Sequence, residues 1–441
     1  MTPGRRSLPR RLLRWSLYGA AAGALLLFAL LSSLRVETTR HGAPTRLRLP
    51  IPKVGAMAFP AYAATAADFS VPGFLDGPVV RRGKRGDGWS ATWFCEDRAH
   101  EANGTGDTVR IACAGRTHAF RLSTAPLPPA VAPMPRKVVV LSDIEGNAAF
   151  LERALRKLEV VDDAGEWAMG DGQLVILGDS VDRGRDVSAV LWRLHDLALQ
   201  ARDAGGALRM LLGNHEQYLL RTNPTRANPD HLAALNAMGG YRQAFERGTV
   251  LGDWLREQPV LVRLGPVLFA HGGVSPGVAA SELSIEQVNA AMHDYWTTPG
   301  AHPATPALDA AIGLAGVTQY RGYFRAGEGR YPAASDADVA HALERFGAGT
   351  VVVGHTLVER IERLHGGRVF AVDVNDNDAA AQALVFEGGV PRIVDTGIAR
   401  AIDHDGERLF REFSLFSSVD RKLLATTIRD TRRLSSLPYP Y

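Results

Sequence analysis

Cysteine is almost missing from this chain: two residues, Cys95 and Cys113, in 441. That excludes a small fold stapled by several disulfides and a zinc site built on a cysteine cluster. Acidic residues are missing from the first fourteen positions, where Arg5, Arg6, Arg10, Arg11 and Arg14 are the only charges. Residues 1–50 carry nine Arg and one Glu, a balance of +8 against +3 for the whole chain, so residues 51–441 sum to −5. The basic character therefore belongs to the leader. The remainder lacks the positive excess of a nucleic-acid-binding surface, so no nucleic-acid partner is expected.

What is present begins with Trp15–Leu34, twenty residues without a charge. That is long enough to cross a bilayer as a helix. A cleavable signal peptide has a shorter apolar stretch and small residues at its exit, and Leu31-Ser32-Ser33-Leu34-Arg35 offers no such site. An uncleaved anchor is favoured over a signal peptide, a buried core helix or a twin-arginine signal at Arg10-Arg11. Residues 1–14 then read as a basic cytoplasmic tail and 15–34 as a single transmembrane anchor. The catalytic part lies on the periplasmic or other extracytoplasmic side, with the membrane as a partner through this helix. The positive-inside bias is narrow, five arginines before the span against Arg35, Arg40, Arg46 and Arg48 after it. The orientation rests on the short, acid-free amino end.

Two cysteines in an exported segment predict one disulfide, Cys95 to Cys113, with two buried free thiols as the alternative. Around them, Trp89–Cys95 and Thr108–Cys113 alternate as strands do, and Asn103-Gly104-Thr105-Gly106-Asp107 has turn chemistry. Residues 51–122 read as a small β-rich accessory domain in which the disulfide closes a hairpin-like loop. Residues 123–135 hold Pro126, Pro128, Pro129, Pro133 and Pro135 and read as an extended, semi-rigid linker. Residues 136–400 form the expected catalytic domain, and 401–441 a charged, partly helical tail without a motif.

Within 136–400 one pattern recurs. Leu174–Leu177 is an apolar run that reads as a buried strand. It leads into Gly178-Asp179-Ser180-Val181-Asp182-Arg183-Gly184. Val138–Leu141 leads into Ser142-Asp143-Ile144-Glu145-Gly146-Asn147, and Met210–Leu212 into Gly213-Asn214-His215-Glu216. Val267–Ala270 leads into His271-Gly272-Gly273, and Val351–Val353 into Gly354-His355-Thr356. Five apolar strands thus end in glycine plus Asp, Asn, Glu or His, which are oxygen and imidazole metal ligands. In open α/β sheets, ligands collect at such strand ends. Apolar residues at helical spacing after Glu145 and after Arg183 add strand-turn-helix units, and the alternation gives an α/β fold.

These five blocks, in this order, resemble the calcineurin-like metallophosphoesterase superfamily. The Val-Asp-Arg-Gly ending and the Gly-Asn-His-Glu block are similar to its phosphoprotein-phosphatase branch. Tyr320-Arg321-Gly322-Tyr323 resembles the arginine block of Shewanella-like phosphatases. The resemblance implies an α/β metallophosphoesterase fold, a two-sheet β-sandwich flanked by helices, here preceded by the β-rich domain and the transmembrane helix. It implies two divalent metal ions sharing a water or hydroxide that attacks phosphorus. One metal would take Asp143, Glu145 and Asp179, and the other Asp179, Asn214, His271 and His355. His215 would protonate the leaving oxygen, Asp182 would orient that imidazole, and Arg183 and Arg321 would bind the phosphate oxygens.

One block departs from the family, which has Asp-x-His where this chain has Asp143-Ile144-Glu145. Glu145 replaces a neutral imidazole with an anion, which favours harder ions, manganese first, with iron, magnesium or zinc as the alternatives. Glu145 outside the ligand set is the other reading. Of the remaining histidines, His195 reads as packing or surface, His293 as a candidate for the pocket rim, and His231, His341 and His365 as surface. Residues 221–247 read as a helical cap and 297–307 as a loop. Three functions follow. The first is a phosphatase acting on phosphomonoesters, either small molecules or protein phosphorylated on Ser, Thr or Tyr. The second is a hydrolase of dinucleotide polyphosphates or phosphodiesters with the same site. The third is a non-enzymatic, membrane-tethered binding protein.

Overall fold

A computed structural model describes residues 8–51, 53, 55–62, 69–83, 88–298, 302–325, 328–374, 381–397 and 409–436. Residues 1–7 of the basic tail, 398–400 at the end of the expected catalytic domain, and 401–408 and 437–441 of the charged tail lie outside these. The chain divides into two compact units, 1–69 with 405–440, and 70–404.

The larger unit is built on two sheets. The first has five strands in the order Ala207–Met210, Gln173–Ile176, Lys137–Leu141, Gln382–Glu387, Val390–Asp395. Its first three strands are parallel and the last two antiparallel. The second has six, ordered Glu362–Leu364, Val369–Ala371, Thr350–Val353, Val267–Ala270, Leu261–Leu264, Val131–Ala132. The central strands are apolar at every position because both of their faces are covered, as is usual for parallel strands. Phe386 of the first sheet meets Phe269 and Phe370 of the second, with ring centroids 6.3 and 6.4 Å apart. These rings lie in the core between the layers. Helices Ala148–Lys157 and Val187–Asp203 bury Leu151, Leu155, Leu191 and Leu194 at the spacing the sequence predicts.

Several boundaries differ from the sequence-based expectation. Residues 70–122 do not form a separate domain but pack on the catalytic domain. Asp76 bonds His231, Trp192 Nε1 donates to Pro78 O at 3.0 Å, and Arg121 pairs with Asp196 at 2.6 Å. Arg98–Thr105, whose last three residues read as part of a turn, is a full strand paired with Gly88–Cys95. The turn is confined to Gly106 and Asp107. The Cys95–Cys113 disulfide is formed and links this three-stranded sheet to the hairpin Thr108–Arg121. The 123–135 linker is not a free spacer. Val131–Ala132 adds an edge strand beside Leu261–Leu264, and Arg209 donates to Pro129 O at 2.6 Å.

The smaller unit has four strands in the order Leu409–Glu412, Arg35–Thr38, Pro44–Ile51, Gly55–Pro60, with the helices Leu8–Ser32 and Ser418–Ser435. Residues 55–60, expected in the accessory domain, belong here. The tail, expected to be charged and partly helical, supplies a strand as well as a helix. Val36, Leu47, Phe413 and Leu423 form its core, so this unit closes only when the two chain termini meet. The first helix exposes Leu25, Leu26, Leu27 and Phe28. Its segment Arg14–Ser32 is long and apolar enough to cross a membrane.

A candidate dinuclear metal centre at the strand ends

All five strand-end blocks converge: contacts join Asp179, His271, Asn214, His215, Asp182, His355, Arg321 and Asp143, and Glu145 and Arg183 pair with each other beside them. Asp179 is at the middle of these contacts. Its Oδ2 lies 3.1 Å from His271 Nε2 and 3.8 Å from His215 Nε2, while its Oδ1 accepts the His215 backbone N–H at 2.9 Å. His271 Nε2 is also 3.1 Å from Asn214 Oδ1. Ligand atoms of Asp179, His271 and His355 all lie within 4.8 Å of one another, and all three residues are buried. Asp143 Oδ2 accepts the His355 backbone N–H at 3.1 Å.

The loops that hold these groups are crowded. A Cβ on Gly213 would collide with the Asp179 carboxylate, and one on Gly354 with Ser142 and Asp143. Glycine is therefore required where the backbone passes the ligands. Glu216, which the sequence placed in a block but gave no role, is fully buried. Its carboxylate accepts the backbone N–H groups of Asp179 at 2.9 Å, Ser180 at 2.7 Å and Gly213 at 2.8 Å. It clamps two strand ends together. The only sequence signal for this was its place three residues after a glycine that precedes a helix.

The donor set fits a cation. His271 Nδ1 donates to Leu177 O at 2.7 Å. This leaves Nε2 as the nitrogen facing two oxygens, Asp179 Oδ2 and Asn214 Oδ1. A bare lone pair there would be repelled, so a proton or a metal is needed between them. Burial opposes the proton, but the Asp179 charge outweighs it and raises His271 to about 9. Burial would likewise raise Asp179, yet His271 and His215 hold it well below the usual carboxylate range. His355 is driven well below the ordinary histidine value by burial, His271 and Arg321. It is held as neutral imidazole, the form that ligates, with Nε2 donating to Gln319 O at 3.1 Å.

Two further features flank this cluster. His215 Nδ1 lies 3.0 Å from Asp182 Oδ2, so Nδ1–H points at the carboxylate and Nε2 toward the cluster. Burial lowers His215, but Asp179 and Asp182 together raise it to about 9. The second feature is a pair of guanidiniums. Arg183 Nε is 3.0 Å from Glu145 Oε1, and Arg321 lies 3.3 Å from both His355 Nδ1 and Thr356 Oγ1. Glu145 thus touches the first arginine directly, a contact its position in the sequence does not reveal. Tyr241, from the helical insert, is buried beside Asp182.

Other expectations are settled by packing. His231 is a correction. Read as a surface residue, it is buried, with Nδ1 2.6 Å from Asp76 Oδ2, because its helix packs under strand Leu75–Arg82. His195 is buried between Trp192 and Trp254. His293 is on the surface and pairs with Glu257. His365 is half-buried against Asp336, and His341 is exposed.

Known proteins resemble this chain. A family model described as calcineurin-like phosphoesterase matches residues 136–359, just over half of the chain. The symmetrical bis(5'-nucleosyl)-tetraphosphatase of an Acidovorax species is 37% identical over 146 residues, covering 32% of this chain and 46% of the relative. Shewanella-like protein phosphatase 1 of Plasmodium berghei is 26% identical over 167 residues, covering 35% of this chain and 42% of the relative. The chain therefore spans less than half the length of these two curated relatives. The crystal structure of a cold-active protein-tyrosine phosphatase from a psychrophilic Shewanella species superimposes with a TM-score of 0.66 at 30% identity. It covers 74% of this chain and 98% of that one. From the strand-end ligands to the length of the matched domain, these findings agree: the chain belongs to the calcineurin-like phosphoesterase family.

Proposed function

We propose that this protein is a membrane-anchored, two-metal phosphatase that hydrolyses phosphomonoesters, with phosphorylated Ser, Thr or Tyr of a protein as the first substrate class. The observation that carries the reading is His271 Nε2 aimed at two oxygens, Asp179 Oδ2 and Asn214 Oδ1, beside a buried acid, His215, and two arginines. Asp143, Glu145 and Asp179 are the groups for one ion, and Asp179, Asn214, His271 and His355 those for the other. Bound divalent ions supply Lewis acidity toward phosphorus and lower the pKa of water. The carboxylate-rich set favours manganese, with iron, magnesium and zinc as alternatives.

The chain's own residues do the rest. Asp182 fixes the His215 ring so that Nε2 carries its proton toward the leaving oxygen. Arg183 and Arg321 hold the non-bridging oxygens, and two guanidiniums suit the terminal phosphate of a monoester. The helix Leu8–Ser32 anchors the protein, and the catalytic unit lies on an oxidising, extracytoplasmic side, a placement supported by the Cys95–Cys113 disulfide.

A second reading, hydrolysis of a dinucleotide polyphosphate, is favoured by the 37% identity to the Acidovorax relative. The test is turnover of the manganese-loaded protein on para-nitrophenyl phosphate, its bis ester, phosphopeptides bearing each phosphorylated residue, and diadenosine tetraphosphate. Faster turnover of the monoesters and phosphopeptides is expected. A dominant rate on diadenosine tetraphosphate would decide for the second reading.

A further inference from the structure

The smaller unit carries an apolar groove of about 390 Å³. One wall is Leu27, Leu30 and Leu31, an i, i+3, i+4 face near the end of the first helix, with Leu34 two residues beyond that end. The other is Leu424, Thr427, Ile428 and Thr431, the same spacing on the helix Ser418–Ser435, with Arg432 beside them. Phe59, on the strand Gly55–Pro60, also lines the groove. Leu27, Phe59 and Ile428 are all exposed.

We infer that this groove takes an acyl chain of an anionic phospholipid from the bilayer, with Arg432 on the lipid phosphate. The inference rests on the anchor reading above, and length then places the groove. The apolar segment Arg14–Ser32 has 19 residues, roughly 28 Å at helical rise, against a hydrocarbon core of about 30 Å. No turn of it can stand outside the membrane. Leu27 lies five residues before the helix end, so it sits roughly 7 Å inside the hydrocarbon.

The opposite wall lines the same groove as Leu27 and so reaches a similar depth, within the ~5–10 Å to which interfacial helices sink. An apolar slot at that level meets lipid chains. The polar features match a lipid as well. The second helix carries Arg421, Lys422, Arg429, Arg432 and Arg433 against Asp420 and Asp430, the balance that draws anionic headgroups. The Thr427 hydroxyl is buried on the groove wall without a hydrogen-bond partner. A lipid ester carbonyl would accept it.

The experiment uses the full chain in vesicles of phosphatidylglycerol and phosphatidylcholine, with one lipid at a time carrying a diazirine in its acyl chain. After photolysis, labelled peptides are identified by mass spectrometry. Label is expected on 8–32 and on the Leu424–Arg432 stripe. Ile428→Trp, an exposed position, fills the slot and should cut the second label severalfold while leaving the first. Arg432→Gln should lower labelling of the stripe by phosphatidylglycerol at least about threefold and leave that by phosphatidylcholine. Label on neither helix sinks the anchor reading. Label on 8–32 alone, or an Ile428→Trp protein labelled like the parent, overturns the groove and leaves the anchor standing. Protein–protein cross-links at Ile428 in place of lipid adducts would assign the groove to a second copy, against this inference.

Discussion

Asp143, Glu145, Asp179, Asp182, Arg183 and His355 all have left-handed backbone, with φ between 50° and 69°. Each such residue costs of order 1–3 kcal/mol unless its surroundings impose it. Here the surroundings do so through backbone bonds between the loops. Asp143 N–H donates to Gly178 O, Glu145 N–H to Asp179 O and Gly354 N–H to His271 O. Strain at these positions is consistent with loops shaped for ligand geometry rather than for local stability. Glu145 is the informative residue, because one of its oxygens already takes Arg183. Glu145→Ala should therefore do two things at once. Metal content by plasma mass spectrometry should fall from two ions toward one, and KM for para-nitrophenyl phosphate should rise about tenfold as Arg183 loses its partner, a change of roughly 1.4 kcal/mol. Two retained ions with an unchanged KM would place Glu145 outside both roles.

At the scale of elements, the site depends on two strand ends held in register by Glu216. Glu216→Ala leaves three buried N–H groups without an acceptor, those of Asp179, Ser180 and Gly213. At roughly 1–3 kcal/mol per lost acceptor, discounted for water entry, the loss of stability should be about 3 kcal/mol or more. Denaturant titration of the variant measures it, and a loss under about 1 kcal/mol would mean the clamp is dispensable.

The helix Val187–Asp203 supplies an acid-sensitive element. His195 is buried between two tryptophans, neither ring nitrogen has a hydrogen-bond partner, and burial lowers it to about 4. The unfolded chain binds this proton near 6.5, so between about 6.5 and about 4 it holds more protons than the folded one. Stability from the neutral ring is complete above pH 6.5 and falls as pH drops through this window, by at most roughly 3 kcal/mol. His195→Leu should flatten that part of the stability-versus-pH curve. A parental slope in the variant would exclude the assignment.

On the scale of the whole molecule, the two termini build one unit and the middle of the chain the other. Every site residue lies in the second unit, while Phe413 and Leu423 of the tail complete the core of the first. Ending the chain at residue 408 removes the strand paired with Arg35–Thr38 and the helix that covers it. Such a protein should keep turnover on para-nitrophenyl phosphate within about twofold, yet become cleavable by protease within residues 35–60, which then lose their edge and core. Lost turnover with an intact 35–60 segment would reverse that assignment of roles.

Local signals were enough to locate the strand-end blocks. Each is a short apolar run followed by a glycine-bearing turn with Asp, Asn, Glu or His, so strand, turn and side-chain chemistry are written within about ten neighbouring positions. The α/β class and the pairing of Cys95 with Cys113 were legible for the same reason, with few alternatives to choose among. What depended on distant partners was not. The strand Leu409–Glu412 has little pattern of its own and becomes a strand because Arg35–Thr38 offers it an edge. Residues 70–122 look like a domain until Asp76, Pro78 and Arg121 find partners on the catalytic helices. His231 looks like a surface residue until that sheet covers it, and Glu216 gains its role only when two strand ends are brought side by side. Side-chain chemistry and local periodicity are properties of adjacent residues. Burial, strand pairing and the sharing of one carboxylate by three loops are properties of contacts between residues far apart in the chain, and only the folded chain decides those.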